Sequence, residues 1–273
     1  MKLGGRIMKK SLMFAVCAAT MLMGASAFAN SYSVIHPFYS PDKGQASLEM
    51  DYRYYHQKFK HSETTALAGK PHAHNSTNTI NYGLTDKWVA YGLLNRAWTY
   101  SDMGHSQVNE WCLGAYYKFI DDGKTYFHLG GDYWQSDLNL NEKIEKGIYF
   151  EGKFGKNFSW GTPYAEFNYY NIVNKGGDDD GTFQFNVAWY KELGRKLGME
   201  ISVENYWRTD ATKDFFSGAF LKFKYAFTPK FGMTIYAATQ LYDHQHAVLV
   251  NGQKIDQTTK EASNLGVTLS YAF

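Results

Sequence analysis

The sequence predicts an all-β protein, a transmembrane antiparallel up-and-down β-barrel of twelve strands, with ten or fourteen strands as the alternatives. Apolar and polar residues alternate along most of the chain, as they do in strands with one face in lipid and one in a polar lumen. Aromatic residues make up 18% of the chain, with 22 Tyr and 19 Phe against only five Pro. No stretch after residue 29 approaches the ~20 apolar residues that a membrane helix needs.

Residues 1–29 have the pattern of a cleaved secretory signal peptide. Four basic residues precede an apolar stretch at 11–23, and small residues at 27–29 form a cleavage motif. Without this segment the chain has 24 Lys and Arg against 26 Asp and Glu, a formal charge of about −2, so no nucleic-acid partner is expected. The one remaining cysteine, Cys112, excludes a disulfide framework and a zinc site built on cysteines.

Strands are predicted near twelve segments, namely 45–58, 76–85, 87–100, 107–120, 124–136, 145–156, 162–174, 181–192, 196–208, 214–228, 231–243 and 257–273. Tight turns alternate with longer polar links, as short periplasmic turns and longer outer loops do in membrane barrels. The barrel is therefore assigned to residues 45–273. Residues 30–44 lack clean alternation and are assigned as a periplasmic lead-in, and folding back into the barrel mouth is the alternative.

The chain ends in the strand pattern LGVTLSYAF. Its apolar positions Leu269, Tyr271 and Phe273 resemble the assembly signal of Gram-negative outer-membrane barrels. That resemblance implies a multi-pass protein in the bacterial outer membrane. The even number of twelve strands leaves both termini in the periplasm. It also implies two partners, the outer-membrane lipid and the barrel-assembly machinery, which would bind the last strand.

Along each strand, every second residue belongs to the apolar face that contacts lipid. The residues between them are therefore assigned to the lumen. The predicted charged lining is Glu49, Asp51, Arg53, Arg96, Lys118, Asp132, Glu151, Lys153, Glu166, Glu200, Glu204, Arg208, Lys222 and Lys224. Inward aromatic residues, among them Trp98, Tyr116, Tyr190, Tyr236 and Tyr242, either stack on a solute or fill space. Seven cations against seven carboxylates predict a balanced lumen, which argues against a pore for acidic sugars. The predicted constriction consists of Arg53, Arg96, Arg208, Lys222, Glu200 and Glu204.

No catalytic group is predicted. Glu151 and Glu166 are expected to face each other across one hairpin, which raises the possibility of an acid–base pair. Lys153 in the same hairpin favours an ion network in the wall instead. The chain is therefore not predicted to be an enzyme, and no cofactor is expected.

Histidines concentrate in the first outer loop, residues 56–75, and at the start of the last outer loop, residues 243–246. A closed barrel would make these two loops neighbours. The candidate residues are the histidines His56, His61, His72, His74, His244 and His246, together with Asp243. Three interpretations stay open, namely a polar solvated mouth, a gate that responds to histidine protonation, and a site for Zn²⁺, Cu²⁺ or Ni²⁺.

The signal peptide, the strand count and the terminal LGVTLSYAF resemble small monomeric outer-membrane channel proteins, the class that holds oligogalacturonate-specific and nucleoside-specific porins. The resemblance implies passive diffusion of small hydrophilic solutes through a narrow lumen lined by aromatic and charged residues. The permeant itself is not identified. The alternative is a closed structural, adhesive or surface-binding barrel that acts through its outer loops.

Overall fold

Twelve long strands form the wall of the molecule in a computed structural model of the chain. The structure describes residues 33–59, 72–101, 104–138, 143–173, 181–209, 215–244, 246–248, 254–256 and 259–273. Its strands are β1 (Ala46–Phe59), β2 (His72–Gly83), β3 (Trp88–Ser101), β4 (Gly104–Asp121), β5 (Thr125–Leu138), β6 (Lys143–Lys156), β7 (Thr162–Ile172), β8 (Thr182–Glu192), β9 (Leu197–Arg208), β10 (Phe215–Thr228), β11 (Phe231–His244), β12 (His246–Val248), β13 (Lys254–Asp256) and β14 (Thr259–Ala272).

Each wall strand pairs antiparallel with its neighbours in sequence, and the last strand closes the circle. β14 pairs with β11 on one side and with β1 on the other, where Leu48 lies opposite Tyr271 and Tyr54 opposite Leu265. The predicted fold class, an all-β antiparallel barrel with twelve wall strands, is confirmed. β12 and β13 form a separate two-stranded hairpin between β11 and β14, which the sequence pattern does not predict.

The second strand begins earlier than the alternation predicts. It starts at His72, where a loop reaching residue 75 is expected, because β1 continues to pair with it up to the facing residues His56 and His72. The sequence His72-Ala73-His74 therefore lies on a strand, and both imidazole rings point to the same face of the sheet.

The two ends of the barrel differ in the links that they carry. At one end, here called the turn end, short links at 84–87, 122–124, 157–161, 193–196 and 229–230 join successive strands. The opposite end is called the loop end. The Asp122 side chain accepts hydrogen bonds from the backbone N–H groups of Lys124 and Thr125, at 2.8 and 2.6 Å. These bonds hold the pKa of the Asp122 carboxyl below its ordinary value.

The packed core of the molecule lies inside the barrel. One cluster of buried rings gathers Tyr116, Tyr126, Tyr164 and Tyr190 around Phe38, and a second contains Tyr206 and Tyr236. Large apolar side chains such as Leu94, Leu113 and Phe150 are exposed on the outer face. In the part of the chain that the structure describes, no helix is long and apolar enough to cross a membrane. Tyrosine suits the interior of the barrel because its ring packs against other rings while its hydroxyl reaches a polar partner.

We predict that Gly266→Ala destabilises the barrel. Gly266 on β14 lies opposite Tyr236 on β11, and a Cβ at Gly266 would overlap the Tyr236 ring. The overlap should lower the free energy of unfolding by about 1–3 kcal/mol. The measurement is a urea titration in which the folded protein is followed as the gel band that shifts on heating. Gly194→Ala is the control because nothing lies within 4 Å of the added methyl. Equal losses in the two variants would contradict the proposed overlap.

Candidate functional site in the barrel lumen

The inward face carries most of the charged residues that the sequence assigns to it. The structure places Glu49, Asp51, Arg53, Lys118, Asp132, Glu151, Lys153, Glu166, Glu200, Glu204, Arg208, Lys222 and Lys224 on the inward parity of their strands. Tyr116, Tyr190 and Tyr236 also point inward and are buried. These residues come from nine of the twelve wall strands, so the polar lining extends around most of the lumen.

Arg96 is the exception among the predicted charged lining. Its neighbours Asn95 and Ala97 are buried at 2% exposure each, whereas Arg96 is exposed on the outer face with Trp98. At this end of β3 the short residues Asn95, Ala97 and Thr99 form the inward stripe, and the longer side chains of Arg96 and Trp98 point outward. The assignment of Arg96 to the lumen and to the constriction is therefore corrected.

A bulge changes the parity near the end of β11. The register of β10 and β11 shifts between Ser217 and Gly218, and beyond it Tyr242 lies outside and Asp243 inside. The assignment of Tyr242 to the lumen is corrected for this reason.

An inward carboxylate on β4, Glu110, is absent from the predicted lining. Glu110 has the same parity as the buried Cys112, and the Tyr170 hydroxyl donates to its Oε2 at 3.5 Å. The strict alternation from Glu110 to Lys118 carries the signal that identifies it. With Arg96 outside and Glu110 inside, carboxylates outnumber Lys and Arg among these inward side chains of the described wall.

The β9–β10 side of the lumen holds a paired charge cluster. Glu200 lies opposite Lys222, and its carboxylate bridges Lys222 at 2.8 Å and Lys224 at 2.6 Å. Only 1% of the Glu200 side chain is exposed. Charges this deep are stable because each has a partner of opposite sign.

A second ion pair lies on β6 and β7. Lys153 is directly opposite Glu166, with Nζ and Oε1 2.6 Å apart, and Glu151 is opposite Asn168. Glu151 and Glu166 are therefore not a facing pair across the hairpin, because the register is two residues away from the one predicted. The pairing gives Glu166 a cation instead of a second carboxylate.

A hydrogen-bonded group joins β1 to β11 and β14. Arg53 donates from Nε to the Tyr236 hydroxyl at 2.9 Å, and that hydroxyl donates to Asp51 at 2.9 Å. Thr268 also donates to Asp51, at 2.7 Å. A cavity of about 80 Å³, with room for a few water molecules, lies beside Asp51, Arg53 and Lys222.

The opposite side of the lumen is acidic. Tyr91 donates to Asp132 at 2.9 Å, and the inward carboxyls of Glu110 and Glu151 lie on the two strands that flank β5. The inward residues paired with Asp132, namely Gly114 and Tyr149, carry no cation. The lumen thus has a paired side at β9–β10 and a carboxylate side at β4–β6.

Residues 33–45, here called the plug segment, fold into the turn end of the barrel. Phe38 is fully buried, stacks on Tyr126 at a centroid distance of 4.2 Å and meets Tyr164 edge-on at 5.5 Å. Lys153 donates to the Pro37 carbonyl at 3.0 Å, and its ammonium lies 5.1 Å from the centre of the Phe38 ring. The segment is attached to the wall through aromatic, cation–π and hydrogen-bond contacts.

The wall is shaped to receive the plug segment. A Cβ at Gly155 would overlap the Phe38 ring, and one at Gly232 would overlap Ile35. Gly44 has a φ of 77° and turns the chain from the segment into β1, a conformation that favours glycine. Residues 30–32 precede the segment outside the described residues.

His36 in the plug segment is held without charge. Burial and the neighbouring Lys224 and Lys153 lower the pKa of His36 from 6.5 to about 3, against a smaller opposite effect of Glu200. Its ring also meets Tyr190 edge-on, at a centroid distance of 5.3 Å. A neutral imidazole fits this position because a third cation beside the two lysines would be repelled.

Among the described residues of the two links, three histidines share the outer face of the wall, whereas Asp243 lies on the inner face. His72 and His74 lie on the outer face, where the Tyr52 hydroxyl and His74 Nδ1 are 2.6 Å apart and His72 stacks on Tyr100 at 5.2 Å. His56 shares that face by register, whereas Asp243 is buried inside the wall. His61 lies outside the described residues, and the side chains of His244 and His246 are not described. In the described part of the chain, no three His, Cys, Asp or Glu residues form a group suited to a metal ion.

The inward polar lining, the apolar outer face and the closed antiparallel wall define the class: the chain has the fold of a twelve-stranded outer-membrane β-barrel. The COG4313 outer membrane channel from Pseudomonas putida F1 has a TM-score of 0.65 at 11% identity, over 89% of this chain and 98% of that one. The translocator domain of the autotransporter NalP from Neisseria meningitidis has a TM-score of 0.58 at 10% identity, over 97% and 98%. The NanC porin has a TM-score of 0.52 at 12% identity, over 80% and 98%.

Within this class the particular family is not identified by sequence. No protein-family model matches the chain, and no curated protein matches it. At these identities the likeness is one of fold.

We predict that Glu200→Gln destabilises the barrel, because it leaves Lys222 and Lys224 without their shared anion. The expected loss in the free energy of unfolding is about 3 kcal/mol, read from the urea midpoint of the refolded protein. The control is Glu192→Gln, an exposed carboxylate at the end of β8. A loss no larger than that of the control would show that the two lysines do not depend on Glu200.

Proposed function

We propose that the protein is an outer-membrane channel through which small hydrophilic solutes diffuse, and that the plug segment gates its turn end. The polar, charged inward face that surrounds the lumen carries this proposal. Charged side chains are costly in a dry interior, and a water-filled passage is the setting in which a membrane barrel retains many of them.

The relatives in fold support a passage through the barrel. Two of the three compared structures are described as a channel and a porin, and the third as a translocator domain. Twelve strands give a lumen between the side-chain-filled interior of eight strands and the open channel of sixteen. A passage of this width is narrow enough for one short segment to occlude it.

The excess of carboxylates in the described lining favours cations and neutral solutes over anions. Asp132, Glu110 and Glu151 face the lumen from neighbouring strands, whereas most of the cations are paired or lie close to a carboxylate. Fixed charge of one sign in a narrow pore raises the local concentration of the opposite ion. The proposal therefore excludes acidic oligosaccharides as the preferred permeant.

We predict that the refolded mature chain conducts in a planar bilayer and prefers cations. The reversal potential in a KCl gradient should have the sign of cation selectivity, and Glu110→Gln combined with Asp132→Asn should move it toward zero. Arg96→Gln is the matched control, because Arg96 lies on the outer face and its loss should leave the reversal potential unchanged. Anion selectivity of the wild type would contradict this account of the lining.

We predict that Phe38→Ala raises conductance, because it removes the ring that stacks on Tyr126 and fills the space beside Gly155. The loss of this buried ring, about 3–5 kcal/mol in a packed core, should shift the plug segment toward an undocked state. Phe158→Ala is the control, since Phe158 lies in a turn at the same end and is 44% exposed.

Folding of both phenylalanine variants is checked by the heat-dependent shift of the gel band. If neither the wild type nor folded Phe38→Ala conducts, the channel proposal fails. The closed barrel that acts through its loops then replaces it.

A further inference from the structure

A polar groove interrupts the outer face of the barrel on β2–β5. It has a volume of about 570 Å³, and its lining includes Arg96, Trp98, Asn109, Trp111, Gln135 and Asp137. We call it the outer groove. It faces away from the lumen, so the proposed channel function neither uses it nor accounts for it.

Cross-strand register brings the polar side chains of the outer groove together. Arg96 lies opposite Asn109, which lies opposite Asp137, and Trp111 lies opposite Gln135. Asn109 Oδ1 accepts hydrogen bonds from Arg96 Nε and from Gln107 Nε2, each at 2.9 Å. This shared acceptor holds the guanidinium along the wall. The terminal nitrogens of the Arg96 guanidinium stay available to a ligand.

Two tryptophans provide the apolar part of the outer groove. Trp98 lies beside Arg96, whose guanidinium carbon is 5.9 Å from the centre of the Trp98 ring. Trp111 packs on Tyr133 at a centroid distance of 5.8 Å. Both rings are half-buried, so each can still present part of its surface to a ligand.

The position of the outer groove indicates which part of a membrane it meets. On the same face and nearer the turn end lie Leu94 and Leu113, at 65% and 64% exposure, as expected for contact with lipid tails. Nearer the loop end lie Tyr100 and the ring pair of His72 and His74. Amphipathic rings of this kind mark the level of the lipid headgroups in barrels. The outer groove spans the boundary between tails and headgroups.

The chemistry of the outer groove fits a sugar. Aromatic faces stack on the apolar face of a pyranose ring, and the planar amide, carboxylate and guanidinium groups hydrogen-bond to its hydroxyls. Glu110 also lines the outer groove, but its side chain has the inward parity of β4. The outward charged side chains are one Arg and one Asp, which give no excess of positive charge and argue against a site for a bare phosphate. A polar groove at the headgroup level of a lipid-facing wall is reached by membrane lipids before any soluble ligand.

We propose that the outer groove binds the saccharide headgroup of a glycolipid in the leaflet at the loop end. The headgroup sugar lies between Trp98 and Trp111, and Arg96, Gln135 and Asp137 bind its hydroxyls. The acyl chains of the lipid then extend along Leu94 and Leu113. This proposal stands whether or not the barrel conducts.

Native mass spectrometry of the folded mature chain in detergent tests the proposal. Three probes are compared at equal concentration: a rough-type lipopolysaccharide of defined mass, phosphatidylethanolamine, and the deacylated oligosaccharide of the same lipopolysaccharide. We expect the lipopolysaccharide adduct to survive mild activation while the other two are lost. Trp98→Leu should lower the bound fraction about fivefold, as the loss of one stacking contact implies, and Arg96→Gln should lower it as well.

The matched control is Trp207→Leu, which removes another outward tryptophan near the loop end, one that packs on Phe183 and Phe215. Its adduct should equal that of the wild type. Equal losses in the two tryptophan variants, or an equally stable phosphatidylethanolamine adduct, would overturn the proposal in favour of non-specific lipid contact. Equal retention of the oligosaccharide, with the same dependence on Trp98, would overturn the lipid source. Heat-modifiability on gels confirms folding of each variant before comparison.

Discussion

The pairing of β14 with β1 is the interaction on which the rest of the structure depends. In lipid no water is present to satisfy backbone N–H and C=O groups, so an open sheet edge would leave a row of them without partners. Twelve register pairs between Ser47 and Lys58 of β1 and the facing residues of β14 remove that edge. Closure also fixes inside and outside, because every second residue must then face the lumen. The composition of the two faces follows from that single constraint.

The charged interior follows the same logic of partners. The Glu200 carboxylate forms ion pairs with two lysines. Lys153 forms an ion pair with Glu166 and donates a hydrogen bond to the plug segment. One tyrosine hydroxyl accepts from Arg53 and donates to Asp51. Breaking such a buried pair by removing one member costs about 3–5 kcal/mol. The wall and the plug segment therefore share one electrostatic network, since the same ammonium of Lys153 contacts both.

The sequence predicts the strands well because apolar and polar residues alternate along them, and contact with lipid requires this alternation. The ends of the strands and the direction of their side chains are predicted less well where the outer face does not contact lipid tails. Near the loop end the outer face is polar as well, so parity alone does not distinguish Arg96 from a lumen residue. A bulge such as the one at Ser217 and Gly218 inverts parity without any sign in the composition. The position of residues 33–45 depends on rings such as Tyr126 and on glycines such as Gly155, which are distant in sequence.

The plug segment is attached to the barrel in a different way from every wall strand. A strand is held by a ladder of backbone hydrogen bonds on both sides, whereas the segment makes a few, such as those of Val34 to Pro229 and Gly44 to Gly83. Its other described contacts are made by side chains, among them the Phe38 ring on Tyr126, the Lys153 ammonium on the Pro37 carbonyl, and the apolar cluster of Val34, Ile35 and Tyr39 with Ala226 and Ala272. Local opening begins where the contacts are weakest. The contacts of the plug segment can separate without breaking the backbone hydrogen bonds between the wall strands. Among the described elements the plug segment is therefore the one that we propose leaves the lumen while the barrel stays closed.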